Sequence, residues 1–303
     1  MKKFKNQKDY YKMDYSELAQ VALKGKSKNF VAIPESIIYD NQNTLDTKRI
    51  SILAYLFVRT GIDDNLLLSL KDIHDWLGKK VNKHTNRNTI TSEIKSLLEY
   101  YKSVGILNYS SELSYTSYIR AEFYKNKIFE KKEMNADKRF AKIYLDELTT
   151  IIQYRATNNN TRFDNSVVLL VFAYLRLNIY QNNELTGYKE MSYPEAYNIY
   201  YKDIANELGI SERTVSKAID VLTNLDLIYV KHRNKIKYLD SKTHKEKYLI
   251  PTSIFCNTYK RVQIKGYTVQ VAEGEEYYIA EVQKKIRKLE KLEKGGKIFT
   301  KTS

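Results

Sequence analysis

At 303 residues the chain has room for two ordinary domains with real cores, and 51 Lys and Arg against 36 Asp and Glu leave it at +15. A globular chain this basic is built to meet a polyanion. One cysteine, Cys256, excludes an internal disulfide framework and fits a reducing cytoplasm, and no apolar run approaches the ~18 residues of a membrane helix.

Residues 1–29 read as a basic N-terminal arm opening MKKFKNQKDYYK, with a short helix from Asp14 to Lys24. Val21-Ala22-Leu23 is too short for a signal-peptide core. Gly25-Lys26-Ser27 ends like a phosphate-binding loop, but Gln20 stands where the leading glycine is required and no strand precedes it.

Residues 30–130 read as a first domain. Phe30-Val-Ala-Ile33 is a strand leading into a helical turn, and an apolar helix follows from Ser51 to Thr60. Lys71 to Leu77 is a short amphipathic helix stopped by Gly78, and a second helix carries Thr89, Ile90, Ile94 and Leu97. The turn between them, 79–88, is long and basic (KKVNKHTNRN). It places Lys83, Asn86, Arg87 and Asn88 at the entry to the second helix, where Asn and Arg suit base edges. Trp76 faces inward by its spacing, and His74 and His84 read as ordinary surface or core histidines. A hairpin from Asn108 to Tyr124 closes the domain, with little charge beyond Arg120 and Lys125. Two roles stay open for this copy: weak DNA contact, or dimerisation. The strand Phe30 to Ile33 could pair across a two-fold axis.

Residues 131–258 repeat that order. Phe140-Ala-Lys-Ile143 matches the first strand, Val168 to Leu177 the apolar helix, and Lys202 to Gly209 the stretch from Lys71 to Gly78. Thr214 to Leu222 matches Thr89 to Leu97, and Asp226 to Val230 matches Gly105 to Tyr109. The stretch YKDIANELGISERTVSKAIDVL, from Tyr201 to Leu222, has the form of a helix-turn-helix. Ile204, Ala205 and Leu208 face inward, Gly209 makes the turn, Ile210 plugs the corner and Ser211 caps the second helix. Val215, Ala218 or Ile219, and Leu222 keep helical spacing. Ser211, Glu212, Arg213, Thr214, Ser216 and Lys217 are left outside, short, polar or basic as a helix entering a major groove requires. Ser211, Arg213, Thr214, Ser216 and Lys217 are the candidate contacts. Leu227 to Val230 then reads as a strand, followed by strand-like runs at Lys235–Leu239 and Lys247–Ile250 about a polar turn. This basic hairpin adds Lys231, Arg233, Lys235, Lys237, Lys242 and Lys245 as phosphate-contact candidates.

Residues 259–303 read as an amphipathic helix, carrying Ile279, Val282, Ile286 and Leu289, and a basic tail from Glu293 that reads as disordered. That helix is a rival dimer interface. Four isolated histidines and one cysteine form no zinc site, and no His-x-His pair accompanies a tyrosine, which argues against a nicking endonuclease of the rolling-circle type. Asp63-Asp64 has no partner carboxylates at metal spacing. The expectation is no enzyme activity, no cofactor and no metal.

The fold class expected is α+β, mainly α: two tandem winged helix-turn-helix domains. On FVAIP…SILAYL…KDIHDWLG and FAKIY…LLVFAYL…KDIANELGISERTVSKAI the chain resembles the tandem winged-helix plasmid replication initiators of the theta-replicating kind, over roughly residues 30–255. The resemblance implies double-stranded DNA with repeated sites as ligand, monomers on direct repeats and dimers on inverted ones. It implies host replisome proteins as partners, a cytoplasmic location and no nuclease. By that resemblance the second copy is the reader of the site. A transcriptional or partition regulator using the same unit is the alternative reading. A third is a replisome-loading or structural scaffold whose winged helices bind proteins.

Overall fold

A computed structural model describes residues 11–22, 29–39, 46–77, 86–130, 140–154, 165–179, 196–232, 236–239, 246–249, 253–272 and 299–300. Helix outweighs strand among these, about 53% to 22%, in a mixed α+β structure. In chain order the elements are α1 (Tyr15–Val21), β1 (Phe30–Pro34), α2 (Glu35–Ile38), α3 (Arg49–Arg59), β2 (Asn65–Leu68), α4 (Leu70–Trp76), α5 (Asn86–Ser103), β3 (Leu107–Asn108), β4 (Ile119–Phe123), α6 (Lys127–Glu130), β5 (Phe140–Tyr144) and α7 (Leu145–Gln153). Then follow α8 (Asn165–Asn178), β6 (Ala196–Ile199), α9 (Tyr201–Leu208), α10 (Glu212–Asn224), β7 (Ile228–Lys231), β8 (Ile236–Leu239), β9 (Glu246–Leu249), β10 (Ser253–Asn257), β11 (Tyr259–Ile264), β12 (Tyr267–Ala272) and β13 (Phe299–Thr300).

The expected repeat is present in the element order. Helix, strand, helix, helix, strand, strand occurs as α3-β2-α4-α5-β3-β4 and again as α8-β6-α9-α10-β7-β10. The strand orders agree as well: β2-β4-β3 in one sheet, β6-β10-β7 in the other, each antiparallel with its last strand in the centre. Gly105 and Asp226, matched in the repeat, both take the left-handed conformation, with φ of 71° and 57°. Asp is one of the few residues besides glycine that adopts it readily.

The chain divides into two compact units, and it passes between them within α9 and α10. One comprises Lys26–Leu177 with Ala205–Leu222. Here α3 and α8 are apolar on nearly every side and correspondingly buried, from Arg49 to Leu56 and from Ser166 to Leu177. Each buries one arginine, Arg49 in α3 and Arg176, paired with Glu147, in α8. Arg49 serves the backbone. It lies at the start of α3, and its guanidinium donates from Nε to Ile37 O (2.8 Å) and from Nη2 to Ile38 O (2.9 Å). The last carbonyls of the short helix α2, which no helical N–H can reach, are thus satisfied inside the core. Tyr101 adds a hydrogen bond to Arg49 O at 2.6 Å, tying α5 to the same point. Trp76, expected to face inward, is half-buried. Its ring packs edge-on against Tyr55, and Nε1 donates to Ser51 O at 2.9 Å.

The opening strand and the C-terminal segment add pairings that the sequence reading did not include. The strand Phe30 to Ile33, which could pair across a two-fold axis, has a partner within its own chain. β1 lies antiparallel to β5, Phe30 opposite Tyr144 and Pro34 opposite Phe140, so the opening strands of the two repeats are each other's partner. A tethered partner is present at a higher effective concentration than a second molecule, which favours this closure. Residues 131–177 fall in the same compact unit as residues 30–130. The segment from 259, expected as helix and tail, begins with a β-hairpin. β11 and β12 pair from Tyr259↔Ala272 to Ile264↔Tyr267 about Lys265 and Gly266, whose φ of 48° and 82° suit a two-residue turn. The helix expected over 279–289 lies outside the described residues.

The other unit comprises Met1–Gly25, Asn178–Ile204 and Thr223–Ser303. Its N-terminal helix α1 forms where expected. Asp14 accepts from Glu17 N (2.8 Å) and Glu17 from Asp14 N (3.2 Å), a reciprocal cap. The helix sits on the β11–β12 hairpin through Met13, Leu18, Ile264 and Val269. Lys265 Nζ fastens it by donating to Met13 O at 2.7 Å. Among the described residues no helix is long and apolar enough to cross a membrane.

Candidate nucleic-acid interface

The pair α9–α10 has the local geometry read from the sequence. Ile204, Ala205 and Leu208 are buried, and so are Val215, Ala218, Ile219 and Leu222. Between them Gly209 takes φ 66°. Ile210 N donates to Ala205 O (3.0 Å) and Gly209 N to Asn206 O (3.4 Å), the paired bonds of a glycine-terminated helix. The side chain of Ile210 is half-buried in the corner. The next helix starts at once: Ser211 Oγ accepts from Thr214 N at 3.1 Å.

That cap changes the roles of two candidate contacts. Ser211 Oγ and Thr214 Oγ1 also bond each other at 2.7 Å, so both hydroxyls are engaged in starting the helix. Arg213 and Lys217 remain, exposed and one turn apart, with Ser216 half-buried beside them. Two charged residues of α10 are missing from the candidate set: Asp220 shares this face, and Glu212 stands in the first turn beside Arg213. Glu212 and Asp220 are both exposed. Asp220 follows Arg213 by seven positions, two turns along the same side, which was the signal that could have found it.

The basic hairpin forms, with Ile236 opposite Leu249 and Leu239 opposite Glu246. It has a third strand: Phe299 and Thr300, in a tail expected to be disordered, pair with Tyr238 and Lys237. Lys237 is therefore on the central strand of three. Lys231 is half-buried at the end of β7, opposite Ile254 of β10. Beside it His232 is exposed, its Nδ1 3.1 Å from Ser253 Oγ and its ring edge-on to Tyr201. Arg233, Lys235, Lys242 and Lys245 lie outside the described residues.

In the first copy Asn86, Arg87 and Asn88 make up the first turn of α5, as expected; Lys83 and His84 lie outside the described residues. The rest of the outer face of α5 is nearly neutral. It holds a shallow open depression walled by Thr91, Ser92, Lys95, Ser96 and Glu99. The loop of the first hairpin is pinned to α4. Ser114 O and Tyr115 O accept from Leu70 N (3.2 Å) and Lys71 N (3.0 Å), supplying the acceptors that a helix start needs. Tyr118 donates to Asp72 Oδ1 at 2.8 Å, and Arg59 pairs with Asp72 Oδ2 at 3.0 Å. The Asp72 hydrogen bond keeps the Tyr118 hydroxyl protonated above its usual range. His74 is buried, 3.1 Å from Thr91 Oγ1. A hairpin tied down in this way presents its loop to its own helix.

Among the described residues no group of His, Cys, Asp or Glu could hold a metal ion. Comparison with protein-family models, with curated proteins and with solved structures returned no match for this chain.

Proposed function

We propose that this chain consists of two tandem winged helix-turn-helix domains and binds double-stranded DNA by sequence, without enzymatic activity. One observation carries the reading. The order helix, strand, helix, helix, strand, strand occurs twice with the same strand order, and the second copy adds the β8–β9 hairpin before its last strand and holds a capped helix with Arg213 and Lys217 on its exposed side. An element of that size fits a major groove, and its N-terminal half is the part that reaches base edges in such folds. The net charge of +15 supports a polyanionic ligand. The pinned loop of the first hairpin favours the second copy as the reader.

Two copies of the unit in one chain fit a protein that occupies repeated sites. We therefore assign it to initiation at a plasmid or phage replication origin, as a cytoplasmic homodimer-forming protein that recruits host replication proteins. Gel shifts on the DNA flanking its gene test this. Laddered complexes on direct repeats, and replication of a minimal plasmid carrying only the gene and its flanks, are expected. A single complex on a promoter palindrome, with no replication, would make it a regulator instead.

A further inference from the structure

The exposed residues of α10 include four charges, in chain order minus, plus, plus, minus: Glu212 in the first turn, then Arg213, Lys217 and Asp220 along one side. All four are exposed, and among the described residues none makes a side-chain hydrogen bond or ion pair. Among the described residues the fold asks for none of them. Asp220 is costly as a choice, since aspartate is a poor residue for a helix interior and gains nothing from the dipole there. It is also costly for binding, because a carboxylate on the groove-facing side repels phosphate.

The first copy shows that the position does not require an anion. In the repeat, Thr214 to Leu222 aligns with Thr89 to Leu97, so Asp220 corresponds to Lys95 and Glu212 to Arg87. Arg213 and Lys217 correspond to the neutral Asn88 and Ser92. The anions of α10 therefore stand where α5 has cations, and its cations where α5 is neutral. Lys95 is accommodated within a regular α5.

We propose that Glu212 and Asp220 are specificity-determining residues of α10. They bracket its cations and confine phosphate contact to the single turn from Arg213 to Lys217. A chain at +15 otherwise binds any duplex through counterion release. A carboxylate is repelled by every phosphate but can accept from the amino group of cytosine, so it penalises misplaced complexes more than the aligned one. The inference rests on α10 being a DNA-contacting helix.

The test uses the full chain and its Asp220→Asn, Asp220→Lys and Glu212→Gln variants. Affinity is measured for a mixed-sequence duplex and for a duplex selected from a random pool by the wild type. Asp220→Asn is expected to raise mixed-duplex affinity about threefold, the size of one charge contact across a few ångströms of water, and Asp220→Lys to raise it further. The ratio of selected to mixed affinity falls in both, and Glu212→Gln moves the same way. An unchanged mixed-duplex affinity, or an equal rise on both duplexes, overturns the proposal while leaving α10 as the reader. A wild type with no affinity for any duplex overturns the DNA reading itself and this inference with it. Unchanged circular dichroism confirms that the surface variants fold.

Discussion

Arg213 is the residue on which base recognition would turn. Its planar fork can bond the two acceptors of a guanine, whereas Lys217 offers a point charge. Arg213→Ala is expected to cost ~1–3 kcal/mol on the selected site and to relax specificity, while Lys217→Ala weakens all sequences alike and flattens the salt dependence. Selected-site affinity at the wild-type level in both variants would remove α10 as the reader. Two further side chains matter for stability rather than for contact. Gly209 holds φ 66°, and Gly209→Ala should lower stability by about 1 kcal/mol through left-handed strain, read from urea unfolding. Arg49→Met keeps most of the volume but strips the donors from Ile37 O and Ile38 O. Two buried carbonyls without partners cost about 2–5 kcal/mol, and a loss below the bottom of that range would mean that water reaches them.

Among the elements, the β8–β9 hairpin is the natural source of affinity without specificity, because its cations are mostly lysines. Neutralising Lys235, Lys237, Lys242 and Lys245 together should reduce the log–log salt slope by up to ~0.9 for each phosphate that regains its counterion. A slope identical to that of the wild type would place this hairpin away from the DNA. The legibility of the elements follows their range. The turn at Gly209, the cap at Ser211 and the buried stripe of α10 are local signals, and all were readable. The β11–β12 hairpin was local too, in the alternation of Val262 and Ile264 with Tyr267, Val269 and Val271 about Lys265-Gly266. It was missed because the helical spacing further along, at 279–289, set the reading of the whole tail. The pairing of β1 with β5 and of β13 with β8 could not be read at all. Nothing in a strand's own sequence says which distant strand will meet it. The same limit applies to the site: the outward side of α10 was legible, but the use of Ser211 and Thr214 by the cap depends on hydroxyl geometry.

The whole molecule carries its buried tyrosines as an alkaline liability. Burial, followed by the nearby charge of Asp72, pushes the Tyr55 hydroxyl up to about 12 from 10.0. Burial is also the main cause of the upward shifts of Tyr101, Tyr109 and Tyr259, with hydrogen bonds to Glu99 and Asp226 adding to the last two. In each case the folded chain holds a proton that the unfolded chain gives up more readily. Their stabilising contribution is complete below the unfolded value near 10.0 and declines as pH rises from there towards about 12. The urea midpoint should therefore drop steeply above that lower value, and Tyr55→Phe should make the drop shallower while changing little at neutral pH. A midpoint that does not move between about pH 9 and pH 11 would show that these hydroxyls reach solvent.

The antiparallel clasp of β1 on β5 also sets a timetable. Residues 30–34 leave the ribosome first, and their partner at 140–144 is made only after the whole first copy has been synthesised. At roughly 5–20 residues per second, the interval is on the order of 5–20 s. Throughout it the nascent first copy can fold its helices and its own three-stranded sheet, yet one strand still presents unpaired amide and carbonyl groups. On a crowded polysome the nearest strand able to take them is the same segment of the neighbouring chain. Slow decoding across residues 35–139 would thus favour entangled pairs of molecules over single closed ones, from an unchanged amino-acid sequence.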